Sequence, residues 1–433
     1  MAGGSGEQPP TMEDPPRMEQ PPRMERPPRM VVVKVGTSSL TDATGIILQE
    51  ALGRLAAQVG CLTRDGHRIV LVSSGAIAAG LGALEMERPE DTATLQALSA
   101  VGQHRLMQAW DAALADVGLV AGQVLLAPLD FGHRQQYLHA RSTLNRLMEL
   151  GVVPIVNEND AVADDEIRFG DNDRLAALVS HLVRADLLVL LTDAPGLLSA
   201  DPRSVPGASL VEEVLESDHS AALEMAAGPG TERGSGGMSS KVAAARMAAW
   251  SGVRCLIAAA DRPGVLQAAL VGSTGVGTQF PPRPRRLPAR KVWLAFAVPS
   301  RGTVTVDDGA RQALVAGGRS LLPAGVLGVS GVFGRDDAVE VAAADGAVFA
   351  KGFVGHPSAL VAEWAGRQTS QLPRDARVEV IHRDDMVLLG DEMVLLDEQA
   401  GRVGAAGRAP DGSRKAVQGE VAPEPSGADF STT

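Results

Sequence analysis

Between Val31 and about Phe280 the chain alternates short, near-continuously apolar runs with longer stretches of helical length. The runs are Val31–Val35, Ile69–Val72, Val152–Val156, Leu187–Leu191 and Cys255–Ala258. Apolarity without alternation is how a strand reads when both of its faces are covered. Between the runs lie Gln49–Thr63, Thr92–Ala115, Arg134–Leu150 and Ser240–Trp250, each long enough for a helix. The alternation predicts an α/β fold, a three-layer αβα sandwich around a mostly parallel central sheet.

The pattern changes after Pro281. Pro281–Pro288 is rich in proline and arginine and reads as a linker, placed at 282–289 between a first domain at 30–281 and a second at 290–386. In the second domain short β-branched runs alternate with glycine turns, as in Gly302–Val306, Gly325–Val329 and Arg377–His382, and predict a small β-rich unit. Residues 1–29 carry a six-residue repeat, Pro15-Pro16-Arg17-Met18-Glu19-Gln20 followed by Pro21-Pro22-Arg23-Met24-Glu25-Arg26. Paired prolines exclude helices and strand ladders, and so few apolar side chains do not offset ordering entropy, so this segment is expected to be disordered. Met30, directly before the first run, is an alternative translation start. Residues 387–433 read as a solvated, disordered tail, rich in Gly, Ala, Pro and Ser from about Gln399 onward.

Composition narrows the function classes. A net charge of −12 repels nucleic acid and anionic membranes on average, and 3% aromatic residues with one tyrosine, Tyr137, leave few rings for stacking bases. From Arg290 to Met386 eleven Lys+Arg balance eleven Asp+Glu, which argues against RNA binding by the second domain. Two cysteines without close spacing, Cys61 and Cys255, suggest neither a disulfide framework nor a zinc site. No apolar run approaches the roughly 20 residues that cross a bilayer, and residues 1–29 lack the apolar core of a secretory signal. A cytoplasmic enzyme is the expectation.

Ligands of open α/β sheets bind beyond the carboxyl ends of the strands. There the sequence reads Gly36-Thr37-Ser38, Ser73-Ser74-Gly75, Asn157-Glu158-Asn159-Asp160 and Thr192-Asp193. Any one of these could cap a helix, but four on one sheet edge are hard to assign to capping alone. Only five of the 40 basic residues are lysines, and two of them, Lys34 and Lys241, adjoin glycine-rich turns. A compact ammonium suits a transferring phosphoryl group at close range better than a planar guanidinium. The segment Gly234 to Lys241 is not a Walker A loop, and no Gly-x-Gly-x-x-Gly follows the first strand. Its glycines nevertheless let backbone N–H groups approach phosphate oxygens at the start of a helix. Asp171-Asn172-Asp173 follows a strand-like Glu166–Phe169 and opens another helix. One of the three is expected to cap that helix, and Asp173 is assigned the pairing of both lysines. The histidines show no metal-ligand spacing.

Five motifs in order, Val33–Ser38, Ser73–Gly80, Asn157–Asp160, Gly170–Asp173 and Gly236–Lys241, together resemble the amino acid kinase superfamily, and within it the glutamate 5-kinases. The C-terminal β-rich unit resembles a PUA domain. This resemblance implies ATP-dependent phosphorylation of the γ-carboxylate of L-glutamate, the first step of proline synthesis, with proline as inhibitor and a homo-oligomer, a dimer or tetramer. It implies that Lys34 and Lys241 contact the ATP phosphates, with Asp173 orienting them and Mg²⁺ carried on the phosphates. Ser74, Asp160 and Asn172 would bind glutamate, helped by Asn157 and Asp171. Thr192, Asp193 and the loop Ser235, Gly236, Gly237, Met238, Ser239, Ser240 and Lys241 would hold the nucleotide. The acceptor is already ionised at neutral pH, so no general base is required.

Overall fold

The computed structural model describes residues 30–131, 133–162, 172–215, 218–226, 237–283, 286–296, 298–315, 318–372 and 379–389. The N-terminal repeat, the strand-like Glu166–Phe169 and residues 390–433 of the expected tail lie outside them, while 387–389, also expected in the tail, belong to the second unit.

Seven strands form the first sheet: β1 (Met30–Val35), β2 (Arg68–Ser73), β3 (Val120–Leu126), β4 (Val152–Glu158), β5 (Leu187–Thr192), β6 (Arg254–Ala259) and β7 (Gly277–Phe280). Their order is β3-β4-β2-β1-β5-β6-β7, parallel throughout except for the antiparallel β7 edge. Every apolar run singled out above became a strand here. The edge strand β3 did not stand out, because most of its positions are exposed or half-buried, and β7 did not because it has only four residues.

Side chains of β1 alternate between the two helical layers. Val31, Val33 and Val35 pack with the helices Gln49–Arg64 and Thr92–Ala115 on one face. Val32 packs with the helices Asn172–Leu182 and Met238–Trp250 on the other. Lys34 has the parity of Val32 and therefore enters that second layer, which carries the first turns of two helices. It sits opposite Val72 of β2 and Leu190 of β5, in the middle of the sheet.

One helix pair is seated backbone to backbone. The helix Ala76–Leu84 follows β2 through Gly75, whose φ of +106° suits glycine. It lies so close to Thr92–Ala115 that a Cβ on Gly102 would fall 1.7 Å from the Ala76 carbonyl oxygen, and one on Gly80 would fall 2.1 Å from that of Leu98. These glycines bring the long helix against the turn after β2.

The second unit is a five-stranded sheet of order β12-β11-β10-β8-β9: β8 (Gly302–Val306), β9 (Val326–Gly331), β10 (Ala338–Ala342), β11 (Val348–Val354) and β12 (Ile381–Leu388). The last strand differs from the expected Arg377–His382. Residues 377 and 378 are outside the described set, and pairing with β11 carries β12 past Met386 to Leu388, with Leu389 buried behind it. A helix at Ala289–Phe296 packs between the units through Leu294 and Ala295, against Trp250 on one side and Val387 on the other. Arg174 Nη2 donates to the Phe296 carbonyl oxygen, tying that helix to the start of Asn172–Leu182. No helix among the described residues is long and apolar enough to cross a membrane.

Candidate active site

Because β1, β2, β4 and β5 run parallel, the segments after them emerge on one edge of the sheet. The sheet order divides that edge in two. The segments after β2 and β4 lie on one side of β1, while the segment after β5 lies on the other, on the side of β6.

At the centre, Lys34 Nζ lies 2.7 Å from Asp173 Oδ1 and Lys241 Nζ lies 3.3 Å from Asp173 Oδ2. Ser240 Oγ donates to the same Oδ2 at 2.9 Å. Exposure is only 5% for Lys34, 1% for Asp173 and 6% for Lys241. Burial pushes the Asp173 carboxyl up, but the Lys34 and Lys241 ammonium groups and the hydrogen bonds from Lys34 and Ser240 outweigh it and hold the carboxyl at about 2. Asp173 lies in the first turn of its helix, where the macrodipole also favours an anion. Lys241 is the fourth residue of its helix, an unfavourable place for a cation on dipole grounds alone, and Asp173 offsets that cost. The arrangement pins two ammonium groups, one from a strand and one from a helix, to opposite oxygens of one carboxylate. A Cβ on Gly36 would be in ordinary van der Waals contact with the Leu191 carbonyl oxygen at 3.6 Å and with Lys34 Nζ at 3.7 Å.

On the β2/β4 side Ser74, Asn157 and Asp160 are buried, and so is Asn172 at the start of its helix. The Ser74 amide donates to the Val35 carbonyl oxygen at 3.1 Å, closing the β2 turn onto the end of β1. Asn157 Nδ2 donates to Gln103 Oε1 at 2.6 Å, and its Oδ1 accepts from the Glu158 amide at 2.9 Å. Asp160 opens a 3₁₀ turn, and burial raises its carboxyl to about 6 against a hydrogen bond from Ser99 that lowers it. Among the described residues Asp160 Oδ1, Asn172 Oδ1 and Gln103 Nε2 are buried without a hydrogen-bond partner. Buried polar atoms are nearly always paired, so the orphans on Asp160 and on Gln103, which is bonded to Asn157 of β4, point to a polar ligand on this side.

On the β5 side, Thr192 Oγ1 donates to Asp193 Oδ1 at 3.0 Å. Gly237 caps the helix of Met238, Ser239, Ser240 and Lys241 with no side-chain hydrogen bond at the cap. Asp171, Ser235 and Gly236 lie outside the described residues. The sequence reading missed Ser99, Gln103 and Trp110, all on the helix Thr92–Ala115. Trp110 Nε1 donates to Ser73 Oγ at 2.9 Å, fixing the residue before Ser74. Their only sequence signal is a spacing of four and seven on one helix face.

Comparison with known proteins agrees with this architecture. Residues 29–259 match the amino acid kinase family model and residues 302–374 match the PUA domain model. A glutamate 5-kinase of Nocardia farcinica is 48% identical over 359 residues, 82% of this chain and 96% of that protein. A glutamate 5-kinase of Myxococcus xanthus is 45% identical over 364 residues, 83% of this chain and 96% of its own length. Among solved structures, a carbamate kinase from Giardia lamblia shares 16% identity at a TM-score of 0.44, covering 59% of this chain and 99% of that one. The chain belongs to the amino acid kinase family, in the glutamate 5-kinase group that carries a PUA domain.

Proposed function

We propose that the protein transfers the γ-phosphoryl group of ATP to the γ-carboxylate of L-glutamate. The observation that carries this reading is the Lys34–Asp173–Lys241 cluster beside β1, with orphaned polar atoms on the β2/β4 side and a helix N-terminus on the other. Lys34 and Lys241 would meet the transferring group and neutralise charge that develops on its oxygens, while Asp173 holds both ammonium groups in place. The nucleotide would lie on the Thr192, Asp193 and Gly237–Lys241 side, where backbone N–H groups of the helix start suit phosphate. Among the described residues no group of three or more His, Cys, Asp or Glu is placed to hold a metal ion. Mg²⁺ carried with the ATP phosphates would withdraw charge from them.

The acceptor would lie on the β2/β4 side. Asp160 supplies a negative charge for a free α-ammonium, with Ser74, Asn157, Asn172 and Asp171 completing the contacts. An N-acetylated acceptor would leave that buried carboxylate unpaired, a loss of about 1–3 kcal/mol. Catalysis is then alignment plus charge neutralisation, since the acceptor needs no deprotonation. From the likeness to glutamate 5-kinases we further infer that the product feeds proline synthesis and that proline inhibits the enzyme.

The test is ATP- and Mg²⁺-dependent formation of γ-glutamyl hydroxamate from glutamate and hydroxylamine. Product with glutamate and at least tenfold less with N-acetylglutamate is the expected result. Equal turnover of the two acceptors would sink the assignment.

A further inference from the structure

The helix Thr92–Ala115 aligns three polar side chains with the segments after β2 and β4. Ser99 donates to Asp160, Gln103 accepts from Asn157, and Trp110 donates to Ser73. None of these three is among the residues assigned above to substrate or nucleotide. Gly102 seats this part of the helix against Ala76 and Gly80, so the Gln103 backbone is fixed by direct backbone packing.

The hydrogen-bond directions around Gln103 are determined by the chain itself. The Glu158 amide is a donor, so the Asn157 atom facing it is the acceptor Oδ1. The other end of Asn157 is then the donor Nδ2, and the Gln103 atom 2.6 Å from it is the acceptor Oε1. Gln103 is consequently left with its Nε2 donor, which is buried and has no partner among the described residues. The residue is 8% exposed, so water does not readily take that role. One helical turn away, Asp160, which accepts from Ser99, leaves its Oδ1 as a buried acceptor in the same condition. An orphan acceptor beside an orphan donor matches the α-carbon of a free amino acid, which carries an ammonium to donate and a carboxylate to accept.

We propose that Gln103 is a specificity residue of the acceptor site: it fixes the Asn157 amide with Oε1 and donates Nε2–H to the α-carboxylate of the amino-acid acceptor. The inference rests on the glutamate reading above and deepens it. The γ-carboxylate is not the guest of Gln103, because Gln103 joins the Asn157 and Asp160 side, whereas the phosphoryl-transfer lysines converge on Asp173. Gln103 would thus separate glutamate from otherwise equal carboxylates that lack an α-carboxylate.

The full chain is assayed for ADP release with L-glutamate and with its α-amide, which keeps the γ-carboxylate and the α-ammonium. Wild type is expected to favour glutamate. Gln103→Glu is expected to raise the glutamate KM by about a hundredfold with the ATP KM unchanged, because the new carboxylate repels one anion where the amide donated to it. The same variant gains on the α-amide, whose NH₂ donates to that carboxylate, so the ratio of kcat/KM for the two acceptors shifts by at least tenfold toward the amide. A merely structural role does not produce that inversion. If Gln103→Glu does not fold, Gln103→Met serves: a raised glutamate KM, an unchanged ATP KM and loss of the preference for glutamate over its α-amide. An unchanged glutamate KM, or an equal loss on both acceptors, overturns the proposal. No turnover of either acceptor by wild type overturns the glutamate reading itself, and this inference with it.

Discussion

Lys34 Nζ lies 2.7 Å from Asp173 Oδ1, and the pair joins the central strand of the sheet to the first turn of the helix Asn172–Leu182. Neither side chain is more than 6% exposed. Removing two charges from water is costly, and a buried pair with well-placed partners is weak grounds for stability but strong grounds for a role. Lys241 and Ser240 complete the set, so one carboxylate organises two elements that the chain brings from far apart.

Asp173→Asn keeps the shape and removes the charge, leaving two buried ammonium groups without their counter-ion. Stability is expected to fall by about 3–5 kcal/mol. At ~2–4 °C per kcal/mol, the melting temperature drops by roughly 10 °C. Because the folded-state value of Asp173 is lowered from 3.8 to about 2, its contribution is complete above pH 3.8 and disappears as pH falls toward 2. Melting curves from pH 5 to pH 2 should therefore converge for wild type and variant at the acid end. A constant gap across that range would show that the carboxylate's charge is not what matters.

Asp160 has the opposite sign. Burial raises its carboxyl from 3.8 to about 6, so its contribution to the stability of the ligand-free protein is greatest below pH 3.8 and is lost as pH rises through 6. An α-ammonium needs the ionised form. The glutamate KM is accordingly expected to fall as pH rises from 5 to 7, by about tenfold per unit on the acid side of the transition, and to flatten above it. In Asp160→Asn the KM is high and loses this pH dependence. A wild-type KM that is flat between pH 5 and 7 would contradict a substrate ammonium on Asp160.

Two glycine-to-alanine changes in helices should act in opposite directions. At Gly102 the added Cβ meets the Ala76 carbonyl oxygen at 1.7 Å, so the helices Ala76–Leu84 and Thr92–Ala115 must separate and stability drops by about 1–3 kcal/mol or more. At Gly53, in the helix Gln49–Arg64, nothing lies within 4 Å, and better helix propensity should raise stability by about 0.5–1 kcal/mol. Chemical denaturation of both variants reads the two signs. A neutral Gly102→Ala would mean that the close seating of the helix behind the acceptor site is not required.

The difference between what the sequence disclosed and what it hid has a physical pattern. β1, β2, β4, β5 and β6 were legible because both faces of each are covered, which forces continuous apolarity. The edge strand β3 alternates exposed and half-buried positions, and β7 has only four residues, so neither carries that signal. The lysine cluster was legible because each member adjoins a glycine turn or a helix start. Gln103 was not, because it lies in the middle of a long helix and acquires its meaning only when Asn157 of β4 is folded against it. The helix at Ala289–Phe296 was hidden for a similar reason: its apolar side chains are explained by two domains at once.

The most direct test of the account is the turnover of Lys241→Arg at saturating ATP, Mg²⁺ and glutamate. A guanidinium keeps the charge and can still pair with Asp173, but it cannot place a point charge where an ammonium sits 3.3 Å from Asp173 Oδ2. The account predicts a loss of roughly 10²–10³ in kcat with little change in the glutamate KM, because the contact is made chiefly in the transition state. A variant that turns over like wild type would contradict the assignment of Lys241 to phosphoryl transfer.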